Sequence, residues 1–201
     1  SSFVCIWTLG MSLNTVKIVL PDWLEAARDR ASGLKSDTER MRFVIDLARE
    51  SVQRRYGGPF GAAIFTEAGA LVSFGVNAVV PQQNSILHAE VVAVLFAHQQ
   101  TGHFNLSALH LPKHVLYTSC APCAMCMGAV LWSGVVRVVS AARKEDAEQV
   151  GFNEGPVFEQ TMPYMQAKGI QFTSDVCREE AVAVLKEYQT YGEPIYNAER
   201  N

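Results

Sequence analysis

Apolar side chains recur at helical spacing after Ser36, with Met41, Val44, Ile45, Ala48 and Val52 on one face. Ser36 and Glu39 form a capping-box pair at its start, and Gly57, Gly58 and Pro59 close it. Two β-type runs follow, 60–66 and 71–80, separated by the turn-like Glu67-Ala68-Gly69, and an antiparallel hairpin is expected. The unbroken apolar run Val91 to Ala97 suits a buried helix that begins near Ser85 and His88. His114 to Ser119 reads as a strand. Pro122 suits the first turn of a helix running to Trp132 and stopping at Gly134, and Val135 to Ala141 is a further buried strand. Strand, helix and strand in that order imply a crossover and a parallel pair. Helices near 144–150 and 158–168, a strand near 170–173 and a long helix from about 175 to 191 complete a three-layer α/β domain with a mixed sheet of about five strands.

Composition narrows the class. The chain has 201 residues, 49% hydrophobic and 18% charged, enough to bury a core, which excludes a disordered chain and a disulfide-stapled miniprotein. The formal charge of −3 supplies no basic field for nucleic acid or an anionic membrane. No run reaches the roughly 18 apolar residues of a membrane helix, and the N-terminus lacks a positive signal-peptide region, so a soluble, cytoplasmic protein is expected. Ser1 to Val16 carries no charged side chain, and Met11 offers an alternative start. The chain divides into an N-terminal extension, 1–35, a main domain, 36–192, and a tail, 193–201.

Three of the five cysteines, Cys120, Cys123 and Cys126, fall within seven residues, which reads as metal or catalysis before disulfide. Chance would supply only about 0.005 Pro-Cys-x-x-Cys matches in this composition. Cys123 and Cys126 share one helix face at i and i+3, beside a helix N-terminus whose positive dipole end favours thiolates. His88-Ala89-Glu90 opens the preceding helix, so two helix N-termini can lie side by side. His88, Cys123 and Cys126 then make three ligands with a fourth position for water, the pattern of catalytic zinc. Glu90, beside such a water, can take its proton and deliver it to a substrate. Two other readings compete. An iron–sulfur cluster at bacterial ferredoxin spacing needs a cysteine where Val130 stands, and a structural zinc would recruit Cys120 as fourth ligand but has no use for Glu90. Cys5, Cys120 and Cys177 are expected to be small packing residues, and His98, His103, His110 and His114 to lie on surfaces.

His88-x-Glu90 followed by Pro122-Cys-x-x-Cys126 resembles the cytidine deaminase superfamily of zinc nucleobase deaminases, whose known signature it matches. The resemblance covers about residues 36–192. It implies a cytidine deaminase-like three-layer α/β/α fold, a Zn²⁺ held between two helices, hydrolytic loss of ammonia from an amino-substituted ring, and a homodimer. Gly57 to Ala62, Gly75 to Asn77, Tyr117 to Cys120, Gly151 to Pro156 and Ile195 to Ala198 are similar to segments of bacterial guanine deaminases within that superfamily. By that similarity Glu154 is a second catalytic carboxylate, Asn77 and Ala89 contact the base, Phe60 and Trp132 line its pocket, and Tyr196 closes over it. The partner implied is a small nucleobase: guanine, or another aminopurine or an aminotriazine such as ammeline. A tRNA adenosine deaminase and a catalytically silent binding protein share the core motif and stay open as alternatives. Ala121 stands where many relatives have Glu before Pro-Cys, so any contact made by that carboxylate is in doubt here.

Overall fold

The computed structural model describes residues 16–197. Cys5, Met11 and the end of the tail lie outside them. A short helix, α1 (Asp22–Ala26), and a single 3₁₀ turn (Arg28–Ala31) precede α2 (Asp37–Gln53). The expected capping box is present: the Ser36 hydroxyl accepts from the Glu39 N–H while Glu39 accepts from the Ser36 N–H. The buried face of α2 carries all five expected apolar residues. The described part of the 1–35 extension is packed, since Leu24, Ala27 and Ala31 are buried in the same core.

Strands β1 (Gly61–Thr66) and β2 (Leu71–Val76) form the expected antiparallel hairpin, but β2 is shorter than the 71–80 run suggested. Asn77 ends it: its Oδ1 accepts the Val79 N–H at 3.2 Å, an Asx turn that leads into the single helical turn α3 (Val79–Gln82). Helix α4 (Ala89–Thr101), strand β3 (His114–Cys120), helix α5 (Ala124–Ser133) and strand β4 (Arg137–Ala142) follow. Pro122 lies just before α5, whose N-cap is Cys123, and not in its first turn; Gly134 ends it at φ +86°. Helices α6 (Lys144–Gln149) and α7 (Thr161–Ala167), strand β5 (Gln171–Thr173) and helix α8 (Arg178–Thr190) complete the chain.

The five strands lie in the order β2-β1-β3-β4-β5. The β1 pairings are antiparallel, whereas β3–β4 and β4–β5 are parallel, so the sheet is mixed as expected. Helices α2 and α8 cover one face and α4, α5 and α7 the other, each over its own hydrophobic cluster. His114 is the exception among the histidines: it is buried, with Nδ1 2.9 Å from the Leu106 carbonyl oxygen.

Candidate active site

The parallel half of the sheet dictates where chemistry can gather. Strand β3 ends at Cys120 and feeds directly into α5, while α4 packs beside α5 on the same face. Both helices therefore present their first turns at the C-terminal edge of the sheet, where α/β folds place their ligands. His88 is the N-cap of α4 and Cys123 the N-cap of α5, both with extended backbone and neither making a side-chain cap bond. These N-cap side chains are turned toward each other: Cys123 Sγ lies 3.5 Å from His88 Nδ1.

Ligand atoms of His88, Cys123 and Cys126 lie within 4.8 Å of one another, the only such His/Cys/Asp/Glu group among the described residues. One imidazole nitrogen and two sulfurs make a donor set suited to Zn²⁺. Cys123 is held near 4, chiefly by the hydrogen bond from Cys126 and then by His88, against the cost of burial. Cys126, the other member of that bond and fully buried, is pushed well above the usual thiol range. A divalent cation supplies the positive charge needed to keep both as thiolates. Burial works against a charged His88, but Cys123, Glu90 and Glu154 outweigh it and raise its pKa. Cys120 does not join the group. Its sulfur lies 3.6 Å from the Arg143 carbonyl oxygen and outside the group of ligand atoms, which removes the four-ligand structural site.

Glu90 occupies the second residue of α4, with Oε2 3.4 Å from Cys126 Sγ. The Thr118 hydroxyl lies 3.1 Å from Glu90 Oε1 and 2.9 Å from the Cys120 carbonyl oxygen. Burial raises the Glu90 pKa, and the charge of Cys123 adds to it. The carboxyl faces a cavity of about 170 Å³ whose walls include His88, Cys123, Phe60, Asn77, Glu154 and Tyr196. Glu154 is only 8% exposed and is pushed up to about 8, first by burial and then by the charges of Cys123 and Glu90. Asn77 Nδ2 and the Tyr196 hydroxyl are buried beside each other, close enough for Asn77 to lower the Tyr196 pKa against burial, but neither makes a well-formed hydrogen bond among the described residues. Native interiors rarely leave such atoms unpaired without a ligand to meet them.

Five of the expected residues thus converge on one cavity with the metal group: Phe60, Asn77, Glu90, Glu154 and Tyr196. Trp132 does not. It lies six residues beyond Cys126, about 9 Å further along α5 and on a different face. Its side chain is 81% exposed, in an open groove shared with Leu95 and Phe104. Ala89 is not on the cavity wall either: it is buried in the hydrophobic cluster on that face of the sheet. Thr118, Phe152, Asn153 and Asn197 were not singled out from the sequence, although all four belong to segments already noted for their similarity. Phe152 packs edge-on to Phe60 at 4.9 Å and against Tyr196 at 5.2 Å. Ala121, in the position that departs from many relatives, also lines the cavity.

Comparison with known proteins agrees with this geometry. The solved structure of the guanine deaminase from Nitrosomonas europaea superposes with a TM-score of 0.85 at 40% identity, covering 90% of this chain and 100% of that one. The Bacillus subtilis guanine deaminase is 36% identical over 152 residues, 72% of this chain and 94% of its own length. A tRNA-specific adenosine deaminase from Haemophilus influenzae is more distant, 27% identical over 82% of this chain and 88% of its own. Residues 34–142 match the cytidine and deoxycytidylate deaminase zinc-binding region. The chain belongs to that zinc deaminase family.

Proposed function

We propose that this chain catalyses the hydrolysis of guanine to xanthine and ammonia. The observation that carries the reading is a pair of buried carboxyls, Glu90 and Glu154, on a small cavity walled by His88 and Cys123. His88, Cys123 and Cys126 would hold a zinc ion, which would supply Lewis-acid activation of an attacking water. Glu90, fixed by Thr118, takes a proton from that water and returns it to a ring nitrogen of the base. The C2–O bond forms first; the tetrahedral C2 then expels the amino group as ammonia, the amine taking one proton as the C2 hydroxyl gives one up and becomes the carbonyl of xanthine. Burial favours the protonated form of Glu154, which suits it to hold a proton for the departing amino group. Asn77 Nδ2 offers a hydrogen bond to the base, and Phe60 gives its plane an apolar wall. Tyr196 excludes water from above.

The small volume of the cavity and the charge of −3 favour a free base over a tRNA strand. Other aminopurines and aminotriazines present the same amidine edge and belong to the proposed range. The reading takes 36–192 as the catalytic domain and the tail from 193 as its cover, supported by Tyr196 and Asn197 on the cavity wall. It includes a cytoplasmic location, where thiol ligands stay reduced, and a homodimer, supported by the exposed Leu95, Phe104 and Trp132 on one groove.

Zinc analysis combined with ammonia release from guanine, adenine, cytosine, nucleosides, aminotriazines and tRNA tests the assignment. About one zinc per chain and fastest release from guanine are expected. Glu90→Gln should fold, keep zinc and lose about 10²–10⁴ in turnover. Unchanged turnover in that variant, or faster release from tRNA, would overturn the reading.

A further inference from the structure

Glu154 sits on a segment with no helix or strand of its own, between α6 and α7. Gly151 and Gly155, at φ +107° and +68°, turn that segment, and locally the Phe152 N–H donates to the Ala147 carbonyl at 3.1 Å and Asn153 Oδ1 accepts the Gly155 N–H at 2.9 Å. A few long-range bonds add to these. The Glu154 carbonyl accepts the Ala124 N–H at 3.0 Å, and the Gly155 carbonyl accepts from Lys144 Nζ at 3.2 Å. Both hold the main chain at or after Glu154. Before Glu154, one side chain binds twice: Asn197 Oδ1 accepts the Asn153 N–H at 2.9 Å, and Asn197 Nδ2 donates to the Gly151 carbonyl at 2.9 Å. A single amide group thus serves as both donor and acceptor for the loop, as a neighbouring strand would.

Asn197 also directly follows Tyr196, whose ring covers the cavity and packs on Phe152 of the same loop. The rest of the tail is tied down by Tyr188, whose hydroxyl donates to the Pro194 carbonyl at 2.6 Å. The catalytic carboxyl and the cover of the cavity are therefore connected through Asn197. We infer that Asn197 is a positioning residue that sets the Glu154 carboxyl in register with the closed tail, so that proton transfer to the departing amine depends on the clamp. This rests on the role given to Glu154 above.

A double-mutant cycle on the zinc-loaded full chain, with guanine as substrate, separates this role from simple stabilisation. Asn197→Ala should lower kcat about tenfold or more with KM changed less, and zinc content should not change. In a Glu154→Gln background the same substitution should lower kcat less than about twofold, because the group it positions is already gone. Asn197→Asp keeps an acceptor for Asn153 but loses the donor to Gly151, so an intermediate kcat is expected. Hydrogen exchange at the Asn153 amide should accelerate in Asn197→Ala. An equal loss in both backgrounds, with Glu154→Gln itself slow, overturns the inference about Asn197 alone. Wild-type turnover by Glu154→Gln removes the catalytic reading of Glu154 and this inference with it.

Discussion

The two halves of the site are built differently. His88, Glu90, Cys123 and Cys126 hang from the first turns of two helices that lie on the sheet, so their positions follow from the packing of α4 and α5. Glu154, Tyr196 and Asn197 belong to a loop and a tail held by individual hydrogen bonds and one aromatic cluster. The difference has a physical logic. A metal site needs its ligand atoms fixed within a few tenths of an ångström, which packed elements can supply, whereas a cavity that must admit and release a base needs one wall that can move.

The largest effect should come from breaking the rigid half. Cys126 has no exposure and sits between Cys123 and Glu90, so Cys126→Ala removes a ligand without opening the surface. Zinc content should fall close to zero and ammonia release from guanine below about a thousandth of wild type. A variant that kept its zinc would mean that the metal is not held by the trio. Glu154→Gln tests the other half: about a 10²-fold loss of kcat is expected with zinc retained, and a rate within twofold of wild type would strike it from the mechanism.

The same division governs what could be read from the sequence. The α2 capping box and the Pro-Cys-x-x-Cys run were legible because each is a local pattern whose geometry one helix start dictates. The contact of Thr118 with Glu90 was not, since it depends on the register of β3 beneath α4 across 28 positions. Trp132 was misplaced because an aromatic near a metal motif says nothing about which face of α5 it occupies. β2 was overextended because Val79 and Val80 look like strand residues, while the turn is imposed by the Asn77 side chain. The Asn197 clamp spans 44 and 46 positions, so although the segment Ile195 to Ala198 stood out by its similarity, nothing local shows which loop its side chain binds.

A smaller effect is expected at the far end of the scaffold. Asp37, in the first turn of α2, accepts from the Tyr117 hydroxyl at 2.6 Å and pairs with Arg137 at the start of β4. Burial works against its charge, but the hydrogen bonds from Arg137 and Tyr117 and the charges of Arg137 and Arg40 outweigh it, holding its carboxyl below the usual range. A folded-state pKa below the unfolded value means stability that is present above about pH 4 and is lost as pH falls through the folded value. Because the side chain is 32% exposed, solvent screening reduces its worth to about 1 kcal/mol. Asp37→Asn should lower the denaturation midpoint at pH 7 but not near pH 2, with turnover at 25 °C unchanged. A loss of stability independent of pH would show that packing, not charge, is what Asp37 contributes.

The smallest effect tests whether the movable wall trades stability for binding. The Tyr196 hydroxyl is buried beside Asn77 without a well-formed hydrogen bond, an arrangement that costs stability unless something in the cavity completes it. Tyr196→Phe keeps the ring against Phe152 and removes only that oxygen. The free protein should become more stable by about 0.5–1 kcal/mol, read as a higher Tm, while KM for guanine rises a fewfold and kcat changes little. Both shifts must occur together. A higher Tm with unchanged KM would leave the hydroxyl without a ligand contact, and a lower Tm would mean that it is satisfied in the free protein. With both, the Tyr196 hydroxyl marks a wall shaped for a ligand, unlike the helix starts opposite, whose positions follow from their own packing on the sheet.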